Sequence, residues 1–474
     1  MLAGGPGGTY LDDLRDEAEF GRWIDALLKI GDVVLLEQRG SNTTDHALTC
    51  QVKLNLNLPL DKAWTPDDYR ADLIAAVKRC RDRQAHGATP LSAFTIDEMA
   101  RDYHDLRRLL GYEQFNLMGG SFGSQLGLII IGIDPASTHR AVFYGVEGPR
   151  HTLDRTDLAE AHLRRVSEAM NHHWQARLLI GDFGAAVRRI AARLERRPIR
   201  GVVETDAGEQ RVVEVGSFDF KRMLWSTEGV QGYRGKIARA GRLVMAMRLG
   251  RDRDLLTAKL RLHDRLNRGQ GFEFNLAPLR IDASSHARSS GPSISPPGQP
   301  EPTPAVKDAF FGPDVVYEDH RLVLGVLANN EDRAGAGYDL AEAAAPILLV
   351  AGGLDGFTPP EYARQVAASL PKTHLLYAPL GDHDGWSILA SDPALFNRTI
   401  EFLAGRAAVD SFPAEVSMAP LQVRLVPTWL IALTGVGVAM TAGLAAFMIR
   451  CLRRRRRAVM DGEIEIADGR QESV

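Results

Sequence analysis

Cysteine is scarce in this 474-residue chain: three in all, Cys50, Cys80 and Cys451. So few thiols build neither a disulfide-scaffold fold nor a multi-cysteine zinc site. A charge excess of either sign is also missing, with 57 basic side chains against 60 acidic ones. That balance leaves no electrostatic footprint for nucleic acid, and no such partner is expected. No internal repeat is present, which excludes a solenoid or propeller. What is there, 45% apolar and 25% charged residues, describes a folded globular protein rather than a disordered or fibrous one.

One stretch lacks charge altogether. Leu425 to Ile449 is 25 residues without Asp, Glu, Lys or Arg. As a helix rising about 1.5 Å per residue it would cross a hydrocarbon layer about 30 Å thick. Arg450 and the run Arg453 to Arg457 follow directly, and Trp429 suits the opposite interface. The positive-inside bias therefore predicts a single-pass protein whose tail, residues 450–474, is cytoplasmic and whose bulk is extracytoplasmic. The competing readings are a buried core helix or a nucleic-acid patch. In an oxidising surrounding, Cys50 and Cys80 could close a loop of 30 residues or remain two buried thiols.

Upstream, the pattern alternates. Asp32–Gln38, Phe115–Met118, Ala141–Val146, Ile347–Ala351 and His374–Ala378 are short apolar runs bounded by Gly, Pro or Asp, as in buried parallel strands. Amphipathic stretches Leu11–Ile30, Ile96–Leu110, Pro360–Leu370 and Pro393–Leu403 lie between them. This predicts an α/β fold with helices on both faces of a parallel sheet. Residues 1–150 and 341–406 would form the core. Residues 151–340 would form a mainly helical lid, with helices at Asp157–Ile180, Gly184–Arg196 and Gly235–Leu262 and a hairpin at Val202–Val215. Ser284–Pro304, rich in Ser, Pro and Gly, reads as a mobile loop, and 407–424 as a linker to the membrane span.

The chemistry enters at Gly119-Gly120-Ser121-Phe122-Gly123, which joins a strand to a helical segment, Ser124–Ile133. A G-x-S-x-G turn in that context projects a serine hydroxyl from the strand end. The hydroxyl needs a base, and an imidazole base needs an acid to orient it. In chain order these should be Asp or Glu, then His. Asp355 follows one apolar run and His383 the next, which nominates Ser121, Asp355 and His383; Asp382 and Asp384 compete for the acid role. The backbone N–H of Phe122 and one from the glycine run Gly4-Gly5-Pro6-Gly7-Gly8, at Gly5, would hold the oxyanion. This chemistry needs neither a metal nor an organic cofactor.

The segments AGGPGG (Ala3–Gly8), EQRGSNTT (Glu37–Thr44), GYEQFNLMGGSFGS (Gly111–Ser124), GGLDGFTPP and GDHDGW together resemble the α/β-hydrolase serine peptidases of the proline iminopeptidase and tripeptidyl aminopeptidase group. The resemblance spans the catalytic region and excludes the lid, linker and anchor. It implies release of N-terminal residues, often proline, from peptides through an acyl-enzyme. It further implies a bridge between Cys50 and Cys80, and a lid carboxylate, Glu228 in MLWSTEGVQ, that holds the substrate ammonium. The alternatives are an esterase or amidase with the same triad, or an inactive membrane-anchored binding protein. The chain departs from the group at Ala3, where a histidine is common. It departs again in having only Met1-Leu2-Ala3 ahead of the glycine run, where the group has two or three strands. Segments 32–38 and 115–118 would then flank a gap, with unpaired backbone mid-sheet. The resulting expectation is a true start upstream, carrying an export signal and the early strands.

Overall fold

In the computed structural model of the protein, the described residues are 1–11, 18–41, 49–52, 58–84, 90–226, 229–267, 272–289, 309–328 and 340–425. The chain divides into two units, 1–423 and 424–474, and nearly all of the second lies outside the described residues.

Eight strands are assigned among the described residues: β1 (Thr49–Val52), β2 (Phe115–Ser121), β3 (Thr138–Val146), β4 (Ile199–Glu204), β5 (Gln210–Val215), β6 (Phe272–Asn275), β7 (Ile347–Gly352) and β8 (Thr373–Ala378). Strands β2-β3-β7-β8 form a parallel sheet in that order. The apolar runs of the two central strands, β3 and β7, are buried on both faces, as a doubly covered sheet requires, while β8 at the edge is half-buried. Alternate residues serve opposite faces. Ala141, Phe143, Ile347 and Leu349 join the cluster of Phe122, Leu126 and Met99, whereas Val142, Leu348 and Val350 pack with Trp23, Leu395 and Phe402. The helix Ile96–Leu109 on the first face is capped by Thr95, whose hydroxyl accepts the Glu98 N–H at 3.2 Å.

Segment 32–38 is not a strand, contrary to the sequence expectation. Between it and β2 lie only the first residues of the chain. The Met1 amine donates to the Val34 carbonyl (2.8 Å), the Leu2 N–H to the Met118 carbonyl (2.8 Å), and Leu2 bridges Gly119 in parallel sense. Three residues give too few ladder bonds to define a strand on either side. A cavity of about 240 Å³ is lined by Met1, residues 31–34 and the start of β2.

Between β3 and β7 the cap carries helices Thr156–His172, Trp174–Leu179, Phe183–Arg196, Ser217–Leu224, Arg234–Arg248 and Asp252–Asn267, with the β4–β5 hairpin at 199–215. The expected helix 235–262 is two helices, because Gly250 turns the chain at φ +72°. The expected loop at 284–304 begins as helix: Leu276–Ser289 continues through Ser284 and Ser285. Ser284 donates to the Ile281 carbonyl and accepts the Ile96 N–H, so both its polar needs are met in a buried position. Residues 290–304 lie outside the described residues. Residues 407–424 do not run free as a linker: Tyr377 of β8 exchanges backbone bonds with Ala414 and Val416. Strands β1 and β6 pair antiparallel. Cys80, buried in the helix Asp67–Gln84, is disulfide-bonded, and the Cys50 side chain lies outside the described ones. Among the described residues no helix is long and apolar enough to cross a membrane, and 426–449 lie outside that set.

Candidate active site

Ser121 ends β2 and starts the helix Phe122–Ile133 with φ 55° and ψ −131°. It is the one non-glycine residue at positive φ among those described. The flanking glycines permit this turn. A methyl on Gly120 would collide with the Tyr144 ring, and one on Gly123 with the Leu2 carbonyl. The sharp turn leaves the hydroxyl at the carboxyl end of the sheet, where β3 finishes alongside: Ser121 is in register with Val146.

Asp355 and His383 reach the same edge from β7 and β8. Asp355 is fully buried and its carboxylate is saturated. Oδ1 accepts the N–H groups of Phe357 and Thr358 at 2.9 Å each; Oδ2 accepts the Thr358 hydroxyl at 2.6 Å and His383 Nδ1–H at 2.9 Å. Donation from Nδ1 leaves Nε2 with its lone pair, the tautomer a general base needs. Burial disfavours the imidazolium, yet the charge and hydrogen bond of Asp355, aided by Asp382 and Asp384, outweigh it and hold His383 above its ordinary value. The ring is walled by Phe357 and Tyr233, with centroids 5.0 and 6.1 Å away.

Gly145 ties the two halves of the site. A methyl there would sit 3.0 Å from His383 Cε1, and its neighbour Val146 is the register partner of Ser121. Among the described contacts Ser121 Oγ makes no hydrogen bond to His383. Such bonds commonly tighten only with substrate.

Asp382 and Asp384 are otherwise engaged. Asp382 accepts the backbone N–H groups of Arg234 and Asp384, while Asp384 caps the helix Gly385–Leu389 through Ser387 N–H. The glycine run lies over the nucleophile: a methyl on Gly4 would be 3.3 Å from Ser121 Cβ and 4.0 Å from Oγ. Gly5 adopts φ +119°, open only to glycine. Phe122, first in its helix, has an N–H with no intrahelical acceptor. Glu228 lies outside the described residues.

Several participants escape a sequence reading. Thr358 links Asp355 to His383, its hydroxyl 3.2 Å from Nδ1. The cap is fastened directly to the loops that carry Asp355 and His383, with Gly356 N–H donating to the Gln231 carbonyl (2.7 Å) and His383 N–H to that of Gly232 (3.1 Å). A nest of acids also lies beside the triad. Glu147 follows β3, its N–H held by Ser124 Oγ, which itself donates to the Ser121 carbonyl. Enclosure pushes the Glu147 carboxyl well up, with Asp282 and Asp154 adding to it. Enclosure likewise takes Asp154 to about 7, His320 opposing and Asp355 adding. Gln231 Nε2 donates to Asp154 at 3.2 Å, and His320 stands 3.5 Å from Asp282. A cap cavity of about 580 Å³ opens beside Gln231 and His320. The only forewarning in sequence was a glutamate directly after an apolar run. Among the described residues no group of three or more metal-ligating side chains is assembled.

Residues 1–189 match the family model described as alpha/beta hydrolase fold. No curated protein matches the chain. Solved structures similar to it include a proline iminopeptidase from Mycobacterium smegmatis, at 14% identity over 85% of this chain and 88% of that one, TM-score 0.32. Another is a proline iminopeptidase-related protein from Thermus thermophilus, at 15% identity over 87% and 89%, TM-score 0.34. A third is a meta-cleavage product hydrolase from Pseudomonas fluorescens, at 13% identity over 85% and 89%, TM-score 0.33. Likenesses of this size carry no argument about substrate. The matched segment, residues 1–189, includes β2, its serine turn and β3, and the fold it describes agrees with a parallel sheet flanked by helices.

Proposed function

We propose that this α/β-hydrolase chain is a serine hydrolase that removes N-terminal residues from peptides. Ser121 Oγ attacks the scissile carbonyl carbon while its proton passes to His383 Nε2, which then delivers it to the leaving amine. Asp355 orients His383 and stabilises the imidazolium, and water enters in the second half by the reverse proton path. The N–H groups of Phe122 and Gly5 face the developing oxyanion. The hydrogen bond between Asp355 and His383, beside a serine in a strained strand-to-helix turn, carries the hydrolase reading. The enclosed carboxyls Glu147, Asp154 and Asp282 favour a substrate with a free ammonium, since a cation would relieve the cost of ionising them. Glu228 is proposed to join them, and Cys50 to be the partner of Cys80. An esterase acting on uncharged acyl groups would leave this acid nest without a use. Leu425–Ile449 is proposed to anchor the enzyme, with catalysis extracytoplasmic.

A panel of alanine and proline arylamides, their N-acetylated forms and p-nitrophenyl esters tests the substrate class. Activity on free-amine arylamides that falls at least tenfold on N-acetylation is expected. Equal turnover of the acetylated forms, or turnover of esters alone, contradicts the aminopeptidase assignment. Run on membrane and soluble fractions, the same assay should show activity leaving the membranes when 425–474 are removed; activity already soluble in the intact chain rejects the anchor.

A further inference from the structure

The run Gly4-Gly5-Pro6-Gly7-Gly8 has to present an N–H at a fixed point, yet it is built almost wholly from residues with no side chain to pack. Its own backbone supplies one described bond, Gly8 N–H to the Gly4 carbonyl at 3.1 Å. Glycines that are not restrained from outside populate many backbone states. Beyond packing of Gly7 against Pro278 and of Gly4 against the Ser121 turn, a side chain from another part of the chain restrains the run by hydrogen bonds. The carboxamide of Gln38 is 1% exposed. Its Nε2 donates to the Ala3 carbonyl (2.8 Å) and, more weakly, to the Gly4 carbonyl (3.4 Å), while its Oε1 accepts the Gly7 N–H at 2.6 Å. Gln38 therefore grips the loop on both sides of Gly5.

The brace is itself fixed at both neighbours. Arg39 reaches away to Asp102 (Nε to Oδ2, 2.7 Å) and to the carbonyls of Ala93 and Glu98. Glu37 accepts the Thr9 hydroxyl at 2.5 Å, beyond the far end of the loop. Only a carboxamide of this length offers a donor and an acceptor from one planar group; glutamate lacks the donor and methionine lacks both.

We infer that Gln38 is a positioning residue for the oxyanion site: it holds the glycine loop so that the Gly5 N–H meets charge on the reacting carbonyl. This rests on the serine-hydrolase reading above. Gln38 touches no reacting atom, and its effect is confined to the tetrahedral state, where the carbonyl electron pair becomes the oxyanion.

The test uses Gln38→Met and Gln38→Glu in the full chain, with thermal melts to establish folding. Phenyl trifluoromethyl ketone is the probe. Its carbonyl carbon bonds to Ser121 Oγ, the serine proton passes to His383, and the resulting hemiketal oxyanion mimics the tetrahedral state. Loss of one oxyanion donor is worth about 10²–10³-fold. Gln38→Met is therefore expected to weaken the ketone about 100-fold and to lower kcat on the preferred substrate alike, with KM within about twofold. Gln38→Glu, which keeps the acceptor for Gly7, should lose at least tenfold. The acid limb of the pH profile, set by His383, should not move in either variant. A folded variant that binds the ketone as tightly as wild type overturns the inference. Wild type that forms no hemiketal on Ser121, judged against Ser121→Ala, brings down the hydrolase reading first and the inference with it.

Discussion

Ser121 sits where a side chain costs energy. A non-glycine residue in a sparsely populated backbone region costs of order 1–3 kcal/mol, sustained only when the surroundings over-determine it. Here they do, through the ring of Tyr144, the Leu2 carbonyl and the Ser124 hydroxyl closing on the Ser121 carbonyl. At His383 the competition is between burial, which opposes the imidazolium, and Asp355, which favours it; Asp355 wins. A base must be neutral to act, so a raised value moves the acid limb of kcat/KM above the ordinary 6.5. Asp355→Asn should shift that limb downward and lower kcat by about 10⁴-fold. A pH profile unmoved by Asp355→Asn would separate Asp355 from the base. Ser121, Asp355 and His383 could be nominated from sequence because each follows its own apolar run, in the order Ser, Asp, His. Thr358 and Gln38 could not, since Thr358 meets His383 25 residues on and the partners of Gln38 lie 31–35 residues away, so only folding selects them.

At the scale of elements, a buried ion pair joins two helices of the cap. Lys259, on helix Asp252–Asn267, is 0% exposed and lies 3.1 Å from Asp219, in the first turn of helix Ser217–Leu224. Lys259 also donates to the carbonyls of Lys62 and Glu214, while Asp219 accepts N–H groups from Gly216 and Trp64. Burial pushes the carboxyl up and the ammonium down, each opposed by the partner's charge. Removing one member strands the other, at about 3–5 kcal/mol. Lys259→Met should lower the urea midpoint accordingly, and Lys259→Met with Asp219→Asn should recover part of the loss. Equal midpoints for wild type and Lys259→Met would mean that the pair contributes nothing net. Four strands, β2, β3, β7 and β8, were legible as apolar runs because a doubly covered sheet demands apolar residues on both faces. Segment 32–38 carries the same pattern without becoming a strand, because pairing depends on a neighbour that local sequence does not reveal. Helix Leu276–Ser289 was hidden by its serines, whose hydroxyls bond within the helix and to the core instead of breaking it.

At the scale of the whole molecule, the sheet edge that carries Ser121 meets the cap, whose backbone is bonded to the loops that carry Asp355 and His383. The contrast between the sheet segments and the helical stretch after residue 150, where strand–helix alternation is lost, could be read from the sequence. The contacts that join them could not, because Gln231 and Gly232 offer no recognisable motif, only carbonyl oxygens in the right place. The central claim is that Asp355, His383 and Ser121 act as one activated nucleophile. Labelling with a fluorophosphonate, followed by peptide mass mapping, tests it most directly. Folded wild type should carry one phosphonyl group on Ser121, at a rate that climbs with pH through the His383 titration and falls by orders of magnitude in His383→Ala. Folded protein left unlabelled at Ser121, or labelled equally fast without His383, would contradict it.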